Sequence, residues 1–138
     1  MAENFDFYQD HSLHYLEMAL RTDKIGTLGN PDGYGKKTGQ CRDTIEMFLN
    51  VTNNMITEIG YVTDGCLNTN ACANTVAHLA EGKTLDEAWE IKPEDVIAYL
   101  ETLPEDHTHC AELAIGAFYL ALSNVRTTLE KPWLKLYR

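Results

Sequence analysis

The segment from His109 to Val125 is apolar around nearly its whole circumference when it is drawn as a helix. A helix of this kind is largely buried, and it needs other elements of the chain to cover it. A chain of 138 residues fits one domain, which can bury roughly two-thirds of the surface of its unfolded form. We therefore predict a central helix against which a sheet packs. Its apolar residues are Leu113, Ala114, Ile115, Ala117, Phe118, Leu120, Ala121 and Leu122.

The sheet is predicted from the alternation that follows Asp43. Apolar side chains at Ile45 and every second residue after it are typical of a half-buried strand. Asn53-Asn54 indicates a turn, and residues 55–63 are predicted as the returning strand. Because antiparallel pairing brings the outer ends of such strands together, we expect Cys41 and Cys66 to lie near the same end of one hairpin.

The segment 26–39 is rich in glycine and contains the turn signal Asn30-Pro31-Asp32-Gly33. We interpret it as a long mobile loop leading into Cys41.

Helical patterns flank the hairpin on both sides, and capping signals mark some of their ends. The predicted helices run over 7–21 and 68–81, from Thr84, from Pro93, and over 109–125. The fold class is therefore α+β: a small antiparallel sheet of about three strands packed against several helices in a single two-layer domain. We expect this domain to span residues 1–138 with a core at about 25–125, and residues 127–138 to form a loose tail or a docking segment.

The charge of the chain excludes some partners. A net charge of -10 argues against binding to nucleic acid or to an anionic membrane surface, since both attract basic proteins. The N-terminus shows no signal peptide and no stretch reaches the length of a membrane span, so we expect a cytoplasmic protein. In that reducing compartment, four cysteines indicate ligands or reactive thiols rather than disulfides.

Candidate ligands stand in three separate parts of the sequence. Cys41 and Asp43 are two residues apart at the start of a predicted strand and face the same side. Cys66 precedes one predicted helix and Cys110 opens another, and helix N-termini stabilise the thiolate form that binds metal. For His109 three roles stay open: it replaces Asp43 as the fourth ligand, it shuttles protons, or its imidazole lies outside the ligand set, beside a ligand or exposed to solvent.

No Cys-x-x-Cys pair is present, so the spacing of the cysteines matches no known metal-binding motif. Cys72, inside the helix after Cys66, is expected to pack rather than to ligate. The residues alone therefore predict a metal or thiol site of unspecified chemistry.

Four motifs carry a resemblance to a known family. They are Cys41-x-Asp43 opening a strand, Gly65-Cys66 after the second strand, Glu81-Gly82-Lys83-Thr84-Leu85-Asp86-Glu87-Ala88, and His109-Cys110 opening the last helix. In order and flanking residues they resemble the U-type iron–sulfur cluster scaffold family (IscU, SufU and the N-terminal domain of NifU). The resemblance covers about residues 25–125.

The resemblance implies a scaffold or carrier rather than an enzyme. A transient [2Fe–2S] cluster is assembled on it from iron and from sulfur supplied by a cysteine desulfurase, and is then transferred to apo iron–sulfur proteins. It implies that Cys41, Cys66 and Cys110 are ligands and sulfur acceptors, with Asp43 as the labile ligand and His109 as an accessory ligand. It also implies an iron donor among the partners.

The chain departs from the family at several positions. Arg42 replaces the usual glycine between cysteine and aspartate, and Leu67-Asn68-Thr69-Asn70 replaces a Gly-Ser or Ser-rich segment. The segment that a dedicated chaperone binds in the family survives only as Leu103-Pro104, which argues against chaperone-assisted transfer. We interpret the chain as a divergent member, monomeric or homodimeric.

A second hypothesis uses the same residues. In a SufU-like zinc-bound sulfurtransferase, Zn²⁺ is held by the three cysteines with Asp43 or His109, and one thiolate leaves the metal to accept persulfide sulfur from the desulfurase. Tetrahedral sites of three thiolates and one oxygen or nitrogen suit zinc as well as iron.

Overall fold

A computed structural model of the chain describes residues 11–40 and 42–137. These residues form one three-stranded antiparallel sheet and five α-helices, so the predicted α+β fold is confirmed. The strands are β1 (Gly33–Thr38), β2 (Thr44–Thr52) and β3 (Met55–Thr63), and the helices are α1 (Leu13–Leu20), α2 (Leu67–Ala80), α3 (Leu85–Trp89), α4 (Pro93–Leu100) and α5 (Thr108–Glu130). Short 3-10 helices cover Glu105–His107 and Pro132–Tyr137.

The β2–β3 hairpin follows the prediction closely. The strands pair from Ile45 opposite Thr63 to the turn at Asn53-Asn54. Both asparagines have positive φ, 50° and 66°, as the tight turns of two-residue hairpins require. The inward-facing residues Ile45, Met47 and Leu49 are fully buried, as the alternation predicts.

The interpretation of 26–39 as a loop is wrong for residues 33–38. These residues form β1, which pairs antiparallel with β2 and completes the sheet in the order β1-β2-β3. Glycine is depleted in strands, so the glycine-rich composition of residues 33–38 does not predict β1. Pairing with β2 on one side and contact with α5 across the sheet favour the strand despite its composition.

Two glycines of β1 allow α5 to lie unusually close to the sheet. A Cβ placed on Gly33 would come within 2.3 Å of Val125 Cγ2, and one on Gly35 within 2.3 Å of the Ala117 carbonyl oxygen. On the helix side, Ala117 and Ala121 are small and fully buried. The central helix predicted over 109–125 therefore packs on β1 with the two backbones in close contact.

Helix α1 is fastened to α2 by asparagine side chains. Asn74 is fully buried, and its amide Nδ2 donates to the carbonyl oxygens of Met18 and Arg21, each at 3.0 Å. Asn70 donates in the same way to Ala19 O at 3.2 Å. These bonds satisfy carbonyls that the helix end leaves without an intrahelical partner. Residues 7–10 of the predicted first helix lie outside the described residues.

The capping signals are confirmed. Thr84 and Glu87 form a reciprocal capping box at the start of α3, with bonds of 3.0 and 3.2 Å. Gly82 follows the end of α2 with φ +86°, in the left-handed region that glycine adopts without strain.

At the C-terminal end, α5 extends to Glu130. Lys135, in the following 3-10 helix, forms an ion pair with Asp32 at 2.8 Å. Across the described part of the chain, no helix combines the length and the apolar character needed to cross a membrane.

Replacing Gly35 with alanine should destabilise the fold. The new methyl group would meet backbone atoms of α5 that cannot move aside, and overpacking of this kind costs about 1–3 kcal/mol. Urea denaturation of the purified chain measures the free energy of unfolding.

Gly29→Ala is the matched control for Gly35→Ala. A Cβ at Gly29 meets nothing within 4 Å, so the free energy of unfolding of the Gly29→Ala variant should differ from wild type by no more than about 1 kcal/mol. Equal stability of the two variants would contradict the close helix–sheet contact.

Candidate functional site

The candidate site lies at the open end of the β2–β3 hairpin. Asp43 stands immediately before β2, and Cys66 is the N-cap residue of α2. Hydrogen bonds close this end of the hairpin: the Thr44 backbone N–H donates to Asp64 Oδ1 at 2.7 Å, and the Thr63 hydroxyl donates to Thr44 O at 2.7 Å. The strand ends are therefore held together where the sequence predicts the ligands.

Two further candidate residues, on helix α5, lie at the same open end of the β2–β3 hairpin. His109 and Cys110 lie in its first turn, and His109 Nε2 is 3.7 Å from Cys110 Sγ. The prediction that Cys66 and Cys110 stand at helix N-termini is confirmed.

A buried hydroxyl joins these elements. Thr69 is fully buried in the first turn of α2, and its hydroxyl donates to Asp43 Oδ2 at 2.8 Å. The same Oγ1 lies 3.4 Å from Cys110 Sγ and 3.6 Å from Cys66 Sγ. One hydroxyl thus contacts candidate ligands from three separate segments of the chain.

Sequence reasoning missed Thr69 as a member of the site. The available signal was its position three residues after Cys66, which places the two side chains on one face of a helix. Gly65 supports the arrangement, because a Cβ at that position would lie 2.6 Å from Thr69 Cβ.

Cys41, the first candidate ligand, lies outside the described residues. Its neighbour Arg42 has φ +69°, a left-handed conformation that glycine favours. Two backbone hydrogen bonds define the connection: Arg42 N donates to Gly39 O at 3.0 Å, and Gly39 N donates to Asp43 O at 2.9 Å. Arg42 therefore occupies a conformation that glycine adopts without strain, at the position where the resemblance implies a glycine.

The candidate ligands differ in accessibility. Cys66 is exposed, Asp43 and His109 are half-buried, and Cys110 is only 1% exposed. Among residues 11–40 and 42–137, no three His, Cys, Asp or Glu side chains are placed closely enough to hold a metal ion as they stand. The donor types nevertheless fit iron or zinc, for which thiolate, imidazole and carboxylate are ordinary ligands.

Cys72 belongs to the core. It is fully buried in α2, and burial raises the pKa of its thiol well above the usual value, with smaller contributions from Cys110 and Cys66. A protonated thiol is a poor ligand and a poor nucleophile. The packing role predicted for Cys72 agrees with this environment.

Tyr15 links α1 to the site. Its hydroxyl donates to Asn68 Oδ1 in the first turn of α2, and its ring stacks on His11 with centroids 3.9 Å apart. Burial raises the pKa of Tyr15 to about 12, and the neighbouring thiols, Cys72 foremost, add to the shift. Tyr15 therefore remains a neutral hydrogen-bond donor beside the thiols at physiological pH.

Comparison with known proteins places the fold and motifs in a family. The sequence model of one protein family, described as the NifU-like N terminal domain, matches residues 21–131, which are most of the chain. The chain belongs to this family, which confirms the resemblance found in the sequence.

Named relatives include the iron–sulfur cluster assembly scaffold protein IscU 1 of Archaeoglobus fulgidus. It is 33% identical over 119 residues, which cover 86% of this chain and 71% of the relative. The iron–sulfur cluster assembly scaffold protein IscU of Escherichia coli is 32% identical over 91 residues, covering 65% of this chain and 70% of the relative.

Solved structures show the same fold. The N-terminal part of a nitrogen-fixing NifU-like protein from Brucella abortus superposes with a TM-score of 0.70 at 17% identity. The match covers 88% of this chain and 99% of that one.

The accessibility of the thiols yields a prediction. In the folded chain at neutral pH, an excess of iodoacetamide should label Cys66 and leave Cys72 unlabelled, because Cys66 is exposed whereas Cys72 is buried and protonated. Mass spectrometry of the digested protein locates the label, and labelling in 6 M guanidinium provides the fully reactive reference.

Cys72→Ala is the matched variant for this experiment. It should reduce stability by about 1 kcal/mol or more through the cavity it leaves, without changing the labelling rate of Cys66. Equal labelling of Cys72 and Cys66 in the native chain would contradict the buried placement.

Proposed function

We propose that this protein is a scaffold on which a transient [2Fe–2S] cluster is assembled and then transferred to apo iron–sulfur proteins. Sulfur comes from a cysteine desulfurase and iron from a donor of iron. The scaffold performs no catalytic turnover of its own, and the cluster is its cargo.

The observation that carries the proposal is the convergence on Thr69. Asp43, Cys66 and Cys110 come from three chain segments, and all contact one hydroxyl at 2.8–3.6 Å. His109 adjoins Cys110 in the same turn. Membership of the NifU-like family and the names of the IscU relatives agree with a site of this composition. Cys41 completes the proposed ligand set by its place in the sequence, two residues before Asp43.

The exposed Cys66 suits the first step, in which sulfur arrives. A scaffold thiolate attacks the terminal sulfur of the desulfurase persulfide, so that a new S–S bond forms and the desulfurase thiolate leaves. Conversion of this sulfane sulfur to the sulfide of a cluster consumes two electrons. A thiol or a redox protein has to supply them, in addition to the iron.

Asp43 suits the last step, in which the cluster leaves. A carboxylate oxygen is a harder ligand than a thiolate and bonds iron less covalently. A cluster held by three cysteines and one aspartate is therefore more labile than one held by four cysteines, as a carrier requires and a permanent electron-transfer site does not.

A zinc-bound sulfur acceptor is the second candidate, and the exposure of Cys66, which suits the arrival of sulfur on a scaffold, suits it equally. The remaining ligands would hold Zn²⁺, while the accessible Cys66 thiolate would attack the terminal sulfur of the desulfurase persulfide, so that a new S–S bond forms and the desulfurase thiolate leaves. The two candidates share their residues but differ in what the protein accumulates.

The deciding experiment is anaerobic purification followed by quantification of iron, zinc and acid-labile sulfide. The measurement is made before and after incubation with a cysteine desulfurase, cysteine, Fe²⁺ and a thiol reductant. A scaffold should gain iron and sulfide in about equal amounts together with a visible chromophore. Stoichiometric zinc, no sulfide and faster desulfurase turnover would instead establish the zinc-bound sulfur acceptor.

Asp43→Cys should slow the loss of the reconstituted cluster. Replacing the oxygen ligand with a thiolate strengthens the weakest bond to iron, and we expect the half-life of the visible chromophore in the presence of a chelator to rise about tenfold or more.

Asp64→Asn is the control for Asp43→Cys, because Asp64 lies at the same end of the hairpin and the amide keeps the oxygen that accepts from Thr44. Its cluster should decay at the wild-type rate. Faster decay in Asp43→Cys than in wild type would refute the role of Asp43 as the labile ligand.

A further inference from the structure

We propose that Thr69 is a positioning residue that fixes the carboxylate of Asp43 for metal binding. The inference rests on the proposed function only in that Asp43 is taken as a ligand. It gives a role to a residue that is neither a cysteine nor a titratable group.

The hydrogen bonding of Thr69 is directional. A hydroxyl has one proton to donate and two lone pairs with which to accept. The proton goes to Asp43 Oδ2, which at 2.8 Å is the nearest partner and carries a charge that strengthens the bond. The two sulfur atoms at 3.4 and 3.6 Å are left facing the acceptor side of the same oxygen. Thr69 therefore holds the Oδ2 oxygen of Asp43 and makes no hydrogen bond to Oδ1.

The hydroxyl lies behind the ligands as seen from solvent. Thr69 is 0% exposed, Asp43 is half-buried and Cys66 is exposed. A metal ion that enters from solvent therefore reaches the Cys66 sulfur and the Asp43 carboxylate before it reaches the hydroxyl. This order makes Thr69 a support for the ligands rather than a competitor for the ion.

Thr69 is itself held in place. Its side chain packs against Gly65, where any Cβ would come within 2.6 Å of Thr69 Cβ. The residue also belongs to the first hydrogen-bonded turn of α2, in which Asn70 N donates to Cys66 O at 3.0 Å. A hydroxyl fixed at both backbone and side chain can transmit its own orientation to the carboxylate.

Removing such an outer hydrogen bond typically lowers metal affinity 10–100-fold, because the ligand loses its orientation. We therefore expect Thr69→Val, which keeps the shape but loses the hydroxyl, to bind Zn²⁺ about 10–100-fold more weakly than wild type. Thr69→Ser keeps the hydroxyl and should bind within about threefold of wild type.

The test is a titration of the reduced, metal-free full chain with Zn²⁺ in competition with a chromophoric chelator. Thr69→Ala serves as a second hydroxyl-free variant in case valine disturbs folding. Circular dichroism and thermal unfolding establish that each variant tested is folded. Wild-type affinity in folded Thr69→Val and Thr69→Ala would overturn the inference, as would tighter binding.

A double-mutant cycle separates positioning from a general structural effect. If Thr69 acts through Asp43, Thr69→Val should cause no further loss of affinity when Asp43→Ala is already present. Losses that add in full would show that Thr69 acts elsewhere and would overturn the inference.

The outcomes also distinguish the two proposals. Zn²⁺ binding that depends on the Thr69 hydroxyl, in a protein that accumulates no sulfide, supports the inference and refutes the cluster scaffold. Iron and sulfide uptake by wild type, with no effect of the hydroxyl on Zn²⁺ affinity, overturns the inference alone. A wild-type chain with no affinity for Zn²⁺ overturns the inference, whatever the iron and sulfide measurements show.

Discussion

The close approach of α5 to β1 is the contact on which the placement of the site depends. Gly33 lies against Val125, Gly35 against Ala117, and Gly39 against Leu113. Residue numbers rise along the strand while they fall along the helix, so the two run antiparallel and in step. A strand rises about 3.3 Å per residue and a helix about 1.5 Å, so these contacts span about 20 Å on the strand and about 18 Å on the helix. The first turn of α5 therefore arrives at the end of the sheet where Asp43 stands.

The hairpin supplies the second geometrical condition. Pairing of Ile45 with Thr63 sets the register, so that residues just outside the strands, Asp43 and Cys66, emerge at the same end. A one-residue slip would turn the buried side chains of β2 to the opposite face, so the core enforces the register. The chain that leads into β2 takes a left-handed backbone conformation at Arg42, with φ +69°. A non-glycine residue in this conformation carries about 1–2 kcal/mol of strain. Arg42 adopts this conformation although only glycine would adopt it without strain.

The sequence predicted those features that depend on local patterns. Four predicted features each have a physical cause that lies within a few residues. They are the alternation over 45–51, the turn at Asn53-Asn54, the capping box at Thr84 and the all-round apolarity of α5. Strand β1 was missed because its glycines serve a contact with a distant helix, and that contact leaves no local periodicity. Thr69 was missed for a related reason. Its hydroxyl partners Asp43 and Cys110 lie 26 and 41 residues away, and only the fold brings them together.

In the proposed site, the identity of Asp43 and its hydrogen bond act in opposite directions on metal binding. A carboxylate oxygen bonds iron less covalently than a thiolate does, which favours release. The Thr69 hydroxyl, by holding Oδ2, orients the whole Asp43 carboxylate before the metal arrives, which favours capture. A permanent metal site does not need easy release of the metal. A ligand on an open surface is not oriented before the metal arrives. A scaffold must capture and release with the same residues, and a hard ligand held from behind by a buried hydroxyl provides both.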